Sequence, residues 1–261
     1  MRRLIVNADD FGFTRDVNEG IVRAHREGIL TATTLMAHGD AFDDAVGLAA
    51  EVPELDIGVH LTLVGGARYP ASVTDLMIAM ARRHIDIAGE LRGQIEKVLA
   101  AGIRPRHMDA HKHTHLLPPV LRCVAALSRE YGIPWVRRPF DFPLEAKRVP
   151  LSRRVLTKAM GALRGRFHSV LTSYGCRTTD YFAGFSITGL YDITELSMLI
   201  RALPDGLTEL MTHPGVCTAE LRAAHTRLKE SRQEELTALT SAEAKQALAE
   251  SGVLLARYRD L

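Results

Sequence analysis

Leu4-Ile5-Val6-Asn7-Ala8-Asp9-Asp10-Phe11-Gly12 sets a short apolar run against a polar turn closed by glycine. Such a run reads as a buried strand that delivers its chemistry at its C-terminal end. The unit recurs along the chain. Thr31 to Met36 and Ile57 to Leu63 read as further strands, Arg106 to Ala110 as a weaker one, and Ile133 to Val136 as another. Gly206 to Thr212 and Val253 to Tyr258 supply the last two. Helical patterns lie between them. The first carries Val17, Ile21, Val22 and Ala24 and stops at Gly28, with Asp16 as its candidate cap and Glu19 placed for a capping box. Others are expected over 40–50, 72–101, 118–127 and 219–248. Strands alternating with helices predict an α/β fold with mostly parallel strands, an irregular, TIM-barrel-like (β/α) barrel. An open doubly wound sheet is the alternative, but neither GxGxxG after the first strand nor GxxxxGK[ST] is present.

The chain is read as one catalytic domain over 1–261, with 141–170, basic and weakly helical, as a candidate inserted flap. Its 33 Lys and Arg against 31 Asp and Glu leave a net charge of +2, which excludes nucleic-acid binding by bulk charge. Hydrophobic residues at 46% and charged residues at 25% describe a globular chain, not a disordered one. Cys123, Cys176 and Cys217 are scattered and odd in number, so a disulfide scaffold is not expected and a reducing, cytoplasmic setting is. No run is long and apolar enough to span a membrane, and the first apolar run is too short for a signal peptide.

The candidate chemistry gathers at predicted strand ends. Asp9 and Asp10 follow the first strand, where neighbouring side chains point apart and can take different jobs. His60 lies inside an apolar strand. His107, Asp109, His111, His113 and His115 crowd nine residues. His111 and His115 share a face if this tract is helical, His111 and His113 if it is extended, and periodicity does not choose. His213 ends a late strand, with Pro214 stopping the ladder. In a barrel these ends converge on one face. Carboxylates and imidazoles suit one divalent ion and metal-assisted hydrolysis, and the lack of nearby cysteine disfavours a thiolate site. Arg137 and Arg138 are candidates to hold a carboxylate or phosphate. Asp180 to Phe185 reads as an aromatic loop that could stack on a sugar.

The segments Asn7 to Gly12, Gly58-Val59-His60-Leu61, His107 to His115 and Leu210 to Pro214 resemble the YdjC-like carbohydrate deacetylases, and Arg232-Gln233-Glu234-Glu235-Leu236 is similar to their closing segment. The resemblance spans nearly the whole chain and looks nearest to the branch associated with hopanoid biosynthesis. It implies Asp10, His60 and His111 as metal ligands, Asp9 as base, His213 as general acid and Asp109 as the group orienting a ligand. It also implies Mg²⁺ or Zn²⁺, frequent dimers, and an acetylated amino-sugar substrate, on a hopanoid lipid or an oligosaccharide. Ala110 departs from the commoner Asp-Ser-His form of the tract. The rival readings are another metal-dependent amidase, a phosphoesterase, or a non-enzymatic sugar- or metal-binding protein.

Overall fold

Strand β1 (Arg2–Phe11) is longer than its apolar run, because the polar residues that follow continue the ladder into the site. The computed structural model describes residues 1–143 and 149–261. Helix α1 (Arg15–Glu27) and β2 (Ala32–Leu35) follow, then α2 (Phe42–Glu51) and β3 (Asp56–Leu61). Next come α3 (Val73–Ala81), α4 (Ile87–Ala100), β4 (His107–Ala110), α5 (Pro118–Tyr131) and β5 (Trp135–Val136). The second half holds α6 (Leu151–Gly161), α7 (Arg164–Ser173), β6 (Tyr181–Ala183), α8 (Ile193–Arg201) and β7 (Gly206–Thr212). It closes with α9 (Ala219–Ala223), α10 (Glu230–Thr240), α11 (Ala242–Ser251) and β8 (Leu254–Leu255).

The strands pair in parallel in the order β5-β4-β3-β2-β1-β7-β6, with β8 also on β1. The sheet curls but its edge strands form no ladder with each other. Two isolated bridges, Trp135 to Arg177 and Asp141 to Phe182, span the gap. The result is an open, irregular TIM-barrel-like sheet surrounded by helices, as the strand–helix alternation predicts.

Strand alternation sorts the residues into two environments. Leu4, Val6 and Ala8 face outward into the main core beneath the helices. Ile5 turns inward and joins Ala32, Trp135, Leu207 and Tyr258 in a small apolar plug. The segment after β8 closes this end, with Ala256 N–H donating to the Leu4 carbonyl and Tyr258 stacked on His107, centroids 4.1 Å apart. One step up each inward face lie Asn7, His107, Arg137 and Glu209. Each inner strand thus climbs from an apolar base to polar groups.

Several local expectations are corrected. Thr14, not Asp16, caps α1, its hydroxyl accepting from Val17 N–H. Asp16 instead accepts from Thr218 N–H, its hydroxyl and Leu221 N–H, tying α1 to the start of α9. The helix expected over 72–101 is two, since Arg83 has φ of 55° and Asp86 restarts the chain by capping Gly89 N–H. Apolar periodicity runs across this break and hides it. The 219–248 stretch is three helices, α9, α10 and α11. Asp180 to Phe185 contains β6, whose three residues are too few to show a period. The candidate flap at 141–170 falls partly on 144–148, outside the described residues, and elsewhere forms α6 and most of α7. Helix α1 also lies against the loop that follows β7: a Cβ on Gly20 would stand 2.3 Å from Gly215 Cα, so only glycine permits this approach.

Candidate active site

At the end of β1 the register against β2 slips between Ala8 and Phe11, which pair with Thr33 and Leu35. One extra residue bulges out of β1, and Asp10 takes a φ of 71°. A regular strand would aim Asp9 and Asp10 to opposite faces. The bulge lets both reach the barrel mouth, at the cost of a left-handed backbone in a residue other than glycine.

Asp10 Oδ1 lies 3.3 Å from His60 Nε2 and 3.2 Å from His111 Nδ1. The two imidazole nitrogens are themselves 3.2 Å apart. Ligands of a tetrahedral ion at about 2.0–2.2 Å stand about 3.3 Å from one another. The three atoms therefore have the spacing of one face of such a shell. Asp10 Oδ1 is buried and accepts no hydrogen bond, whereas Oδ2 accepts from Arg232 Nη2. A buried carboxylate oxygen without a donor is costly unless a cation meets it. Arg232 thus occupies one oxygen and leaves the other facing the two imidazoles.

His60 is held from behind. Its Nδ1 lies 2.6 Å from Asp109 Oδ1, and Thr34 Oγ1 donates to Asp109 Oδ2 at 3.2 Å. This fixes the ring with Nε2 toward Asp10, the carboxylate–histidine pairing found behind metal ligands. Burial disfavours a charged His60, but Asp109, Asp10 and Asp9 prevail and raise its pKa to about 10. The field at this imidazole favours positive charge. His111 is the exposed member, a quarter of its side chain open to solvent, so the cluster is reached from its side.

Asp9, His60 and Asp109 also lie close enough to hold an ion. Arg137 fills that place. Its Nη1 and Nη2 donate to Asp9 at 2.7 and 2.6 Å, Nη1 also reaches Asp109 at 2.5 Å, and Nε donates to Glu209 at 2.7 Å. A guanidinium among these carboxylates excludes a second cation. Burial raises the Asp9 pKa, but Arg137, then His60 and His213, outweigh it and hold the carboxyl well below the usual range. Asp9 is ionised at neutral pH and stands beside the triad without belonging to it.

His213 enters from the end of β7, its Nε2 4.0 Å from Asp9 Oδ2. Glu235 on α10 accepts from His213 N–H at 2.6 Å, from Tyr191 Oη at 2.9 Å and from Gly189 N–H at 3.0 Å. Burial pushes the His213 pKa below its ordinary value despite Glu235 and Asp9.

The remaining candidates lie outside this cluster. The tract after β4 is neither helix nor strand but a 3₁₀ turn, with positive φ at Lys112 and His113. His115 turns inward, its Nε2 3.1 Å from the Arg137 carbonyl, and burial lowers its pKa to about 4. His113 is buried against Phe185, centroids 5.2 Å apart. Arg138 donates to the Asp180 carbonyl, and Asp180 Oδ2 accepts from Leu207 N–H, so both residues tie β5, β6 and β7 together. Arg137 is spent on carboxylates and has no guanidinium edge left for an anion. Sequence reasoning did not single out Glu209, Thr34 or Asn7, or assign roles to Arg232 and Glu235. The last two stand three apart on a polar helix, and nothing local marks that face as buried.

Fold and cluster define a β/α-barrel protein with a candidate divalent-metal site at its strand ends. The model of the YdjC-like protein family matches residues 3–250, and the chain belongs to that family. It is 34% identical to a carbohydrate deacetylase of Brevibacillus brevis over 99% of each chain. A carbohydrate deacetylase of Clostridium beijerinckii is 31% identical, over 99% of this chain and 100% of that one. A crystal structure from Enterococcus faecalis V583, provisionally described as a cellobiose-phosphate cleavage protein, superposes with a TM-score of 0.76 at 27% identity, covering 99% and 98% of the two chains.

Proposed function

We propose that the protein is a metal-dependent carbohydrate deacetylase that hydrolyses the N-acetyl group of an N-acetylglucosamine-type sugar. The observation that carries this reading is the open face formed by Asp10 Oδ1, His60 Nε2 and His111 Nδ1 beside an ionised carboxylate that is not part of it. Carbohydrate deacetylases aligned along their whole length support it. Asp10, His60 and His111 would hold the ion, Mg²⁺ or Zn²⁺. When bound, it would supply Lewis-acid polarisation of the acetyl carbonyl and a lowered pKa for water.

Asp9 is the base. Arg137 holds it in place and keeps it ionised, so it is ready to accept a proton at any pH above the acid range. His213, close to Asp9, delivers a proton to the leaving nitrogen, which is otherwise a poor leaving group. Asp109 and Thr34 keep His60 in register with Asp10. Arg137 also argues against the phosphoesterase reading, since its guanidinium is already surrounded by carboxylates and offers a phosphate no free edge.

The test is release of acetate when the metal-loaded protein meets N-acetylglucosamine oligomers and lipid-linked forms, a hopanoid-carried sugar among them. Acetate from none of these, or phosphate from a sugar phosphate, overturns the reading. His60→Ala and His111→Ala are each expected to lose most bound metal, measured by elemental analysis of the purified proteins. Full metal content in both would remove them as ligands.

His213 also sets a pH dependence. A histidine with a lowered pKa holds its proton only on the acid side of that value. The kcat/KM profile is therefore expected to fall as pH rises through a limb whose midpoint lies below about 6.5. In His213→Ala with metal retained, that limb disappears. An unchanged limb in the folded variant would exclude His213 as the acid.

A further inference from the structure

Beneath Asp9, a line of buried polar side chains runs down the inner face of the sheet. Asn7, two residues earlier on β1, points to the same side, and both residues are buried. Asn7 Nδ2 donates to Asp9 Oδ1 at 3.1 Å, and Asn7 Oδ1 lies 3.0 Å from His107 Nε2 on β4. His107 is buried as well, with Tyr258 stacked on its ring. Gly58 on β3 makes room for that ring, since a Cβ there would stand 2.6 Å from Nε2. Neither Asn7 nor His107 belongs to the ligand cluster.

The charge on Asp9 dictates how this line is wired. An ionised carboxylate only accepts, so Asn7 must turn its amide nitrogen toward it. The flipped amide would set two acceptor oxygens at the same 3.1 Å. The amide oxygen then faces His107, and a proton must sit on His107 Nε2. Burial pushes the His107 pKa below its ordinary value, so the ring is neutral and this is its one ring proton. Asp9 Oδ1 thus receives two donors, Asn7 Nδ2 and Arg137 Nη2. Oδ2 receives Arg137 Nη1 and lies 4.0 Å from His213 Nε2. A carboxylate oxygen has two lone pairs, so Oδ1 is filled and Oδ2 keeps one.

We propose that Asn7 is a positioning residue for the hydrolysis: oriented by a His107 that carries its proton on Nε2, it occupies Asp9 Oδ1 and leaves Oδ2 to take the proton of the attacking water. Without Asn7 the arginine fork alone holds Asp9, and Oδ1 competes for that proton. The catalytic half of the proposal rests on Asp9 being the base; the order of hydrogen bonds from His107 to Asp9 does not.

Two measurements test it. Long-range proton–nitrogen NMR of the metal-loaded full chain, with the His107 signal assigned by its loss in His107→Gln, is expected to show Nε2 protonated. A ring protonated at Nδ1 alone overturns the proposal whatever the activity, because the amide would then have to point the other way. In kinetics on an acetylated amino sugar, Asn7→Ala is expected to lower kcat roughly tenfold to 10²-fold. KM and metal content should hold, because Asn7 reaches neither ligand nor solvent. His107→Leu, which cannot donate, should lose as much, and His107→Gln, whose amide nitrogen can stand in for Nε2, should recover most of the rate. Asn7→Ala and His107→Leu combined should be no slower than Asn7→Ala alone. A residue that merely packs the barrel would lower melting temperatures without separating glutamine from leucine. Equal rates in those two variants, or a folded Asn7→Ala with kcat near that of the unaltered protein, overturns the positioning role. If the unaltered loaded protein releases no acetate while His107 Nε2 carries the proton, the deacetylase reading fails and the hydrogen-bond order stands.

Discussion

Asp9→Asn is expected to keep its fold and its metal and to lose roughly 10²–10⁴-fold in turnover. The substitution preserves shape, and Asn can still accept one bond from Arg137. Asp10, His60 and His111 are untouched, so metal content should match that of the unaltered protein. What is lost is a permanently ionised acceptor beside the metal face. Turnover measured at full occupancy isolates this step, and a near-normal value would remove Asp9 as the base. A large fall with metal also missing would instead mean that Asp9 shapes the ligand cluster.

Arg137→Met should act on the fold itself. Asp9, Asp109 and Glu209 converge on this one guanidinium, and all are buried. Methionine fills much of the volume but leaves these carboxylates uncompensated. Breaking a buried pair by removing one partner costs about 3–5 kcal/mol, and here one residue serves several pairs. The pH dependence has a definite sign. Asp9, whose folded pKa is depressed, adds stability above its unfolded value near 3.9, and this is lost as pH falls through the folded value. The variant lacks that contribution, and its stranded carboxylates are relieved by protonation. The stability gap in urea melts should therefore narrow as pH drops from 7 toward the carboxylate range. Equal melting temperatures at pH 7 would show that Arg137 is not the keystone of the barrel.

The barrel class was legible because β1, β2, β3 and β7 are buried runs separated by helices of ordinary length. The strand-end histidines and aspartates were legible because barrels converge there. The bulge at Asp9 and Asp10 was not, since no residue in Ala8 to Phe11 demands a register slip. Nor was the turn in the His111 to His115 tract, since neither Lys112 nor His113 is a residue type that signals the positive φ it adopts. That turn makes His111 rather than His115 face Asp10 and sends His115 to a backbone carbonyl. Arg137 was visible as a charge at a strand end, but three acidic partners from three other strands cannot be read from one position. Arg232 and Glu235 were hidden for a related reason: a polar helix gives no local sign of which charges it buries.

Asp10 and Arg232 meet across 222 residues of chain. A ribosome must therefore release most of the polypeptide before the arginine that steadies this carboxylate exists in the growing molecule. Until α10 arrives, Asp10 lacks its steadying cation and His213 lacks the Glu235 acceptor, so a nascent barrel has strands but not an assembled centre. Contacts so distant along the chain slow folding and expose intermediates. They also make the centre a late checkpoint on synthesis, since a chain truncated before α10 is without both of these supports.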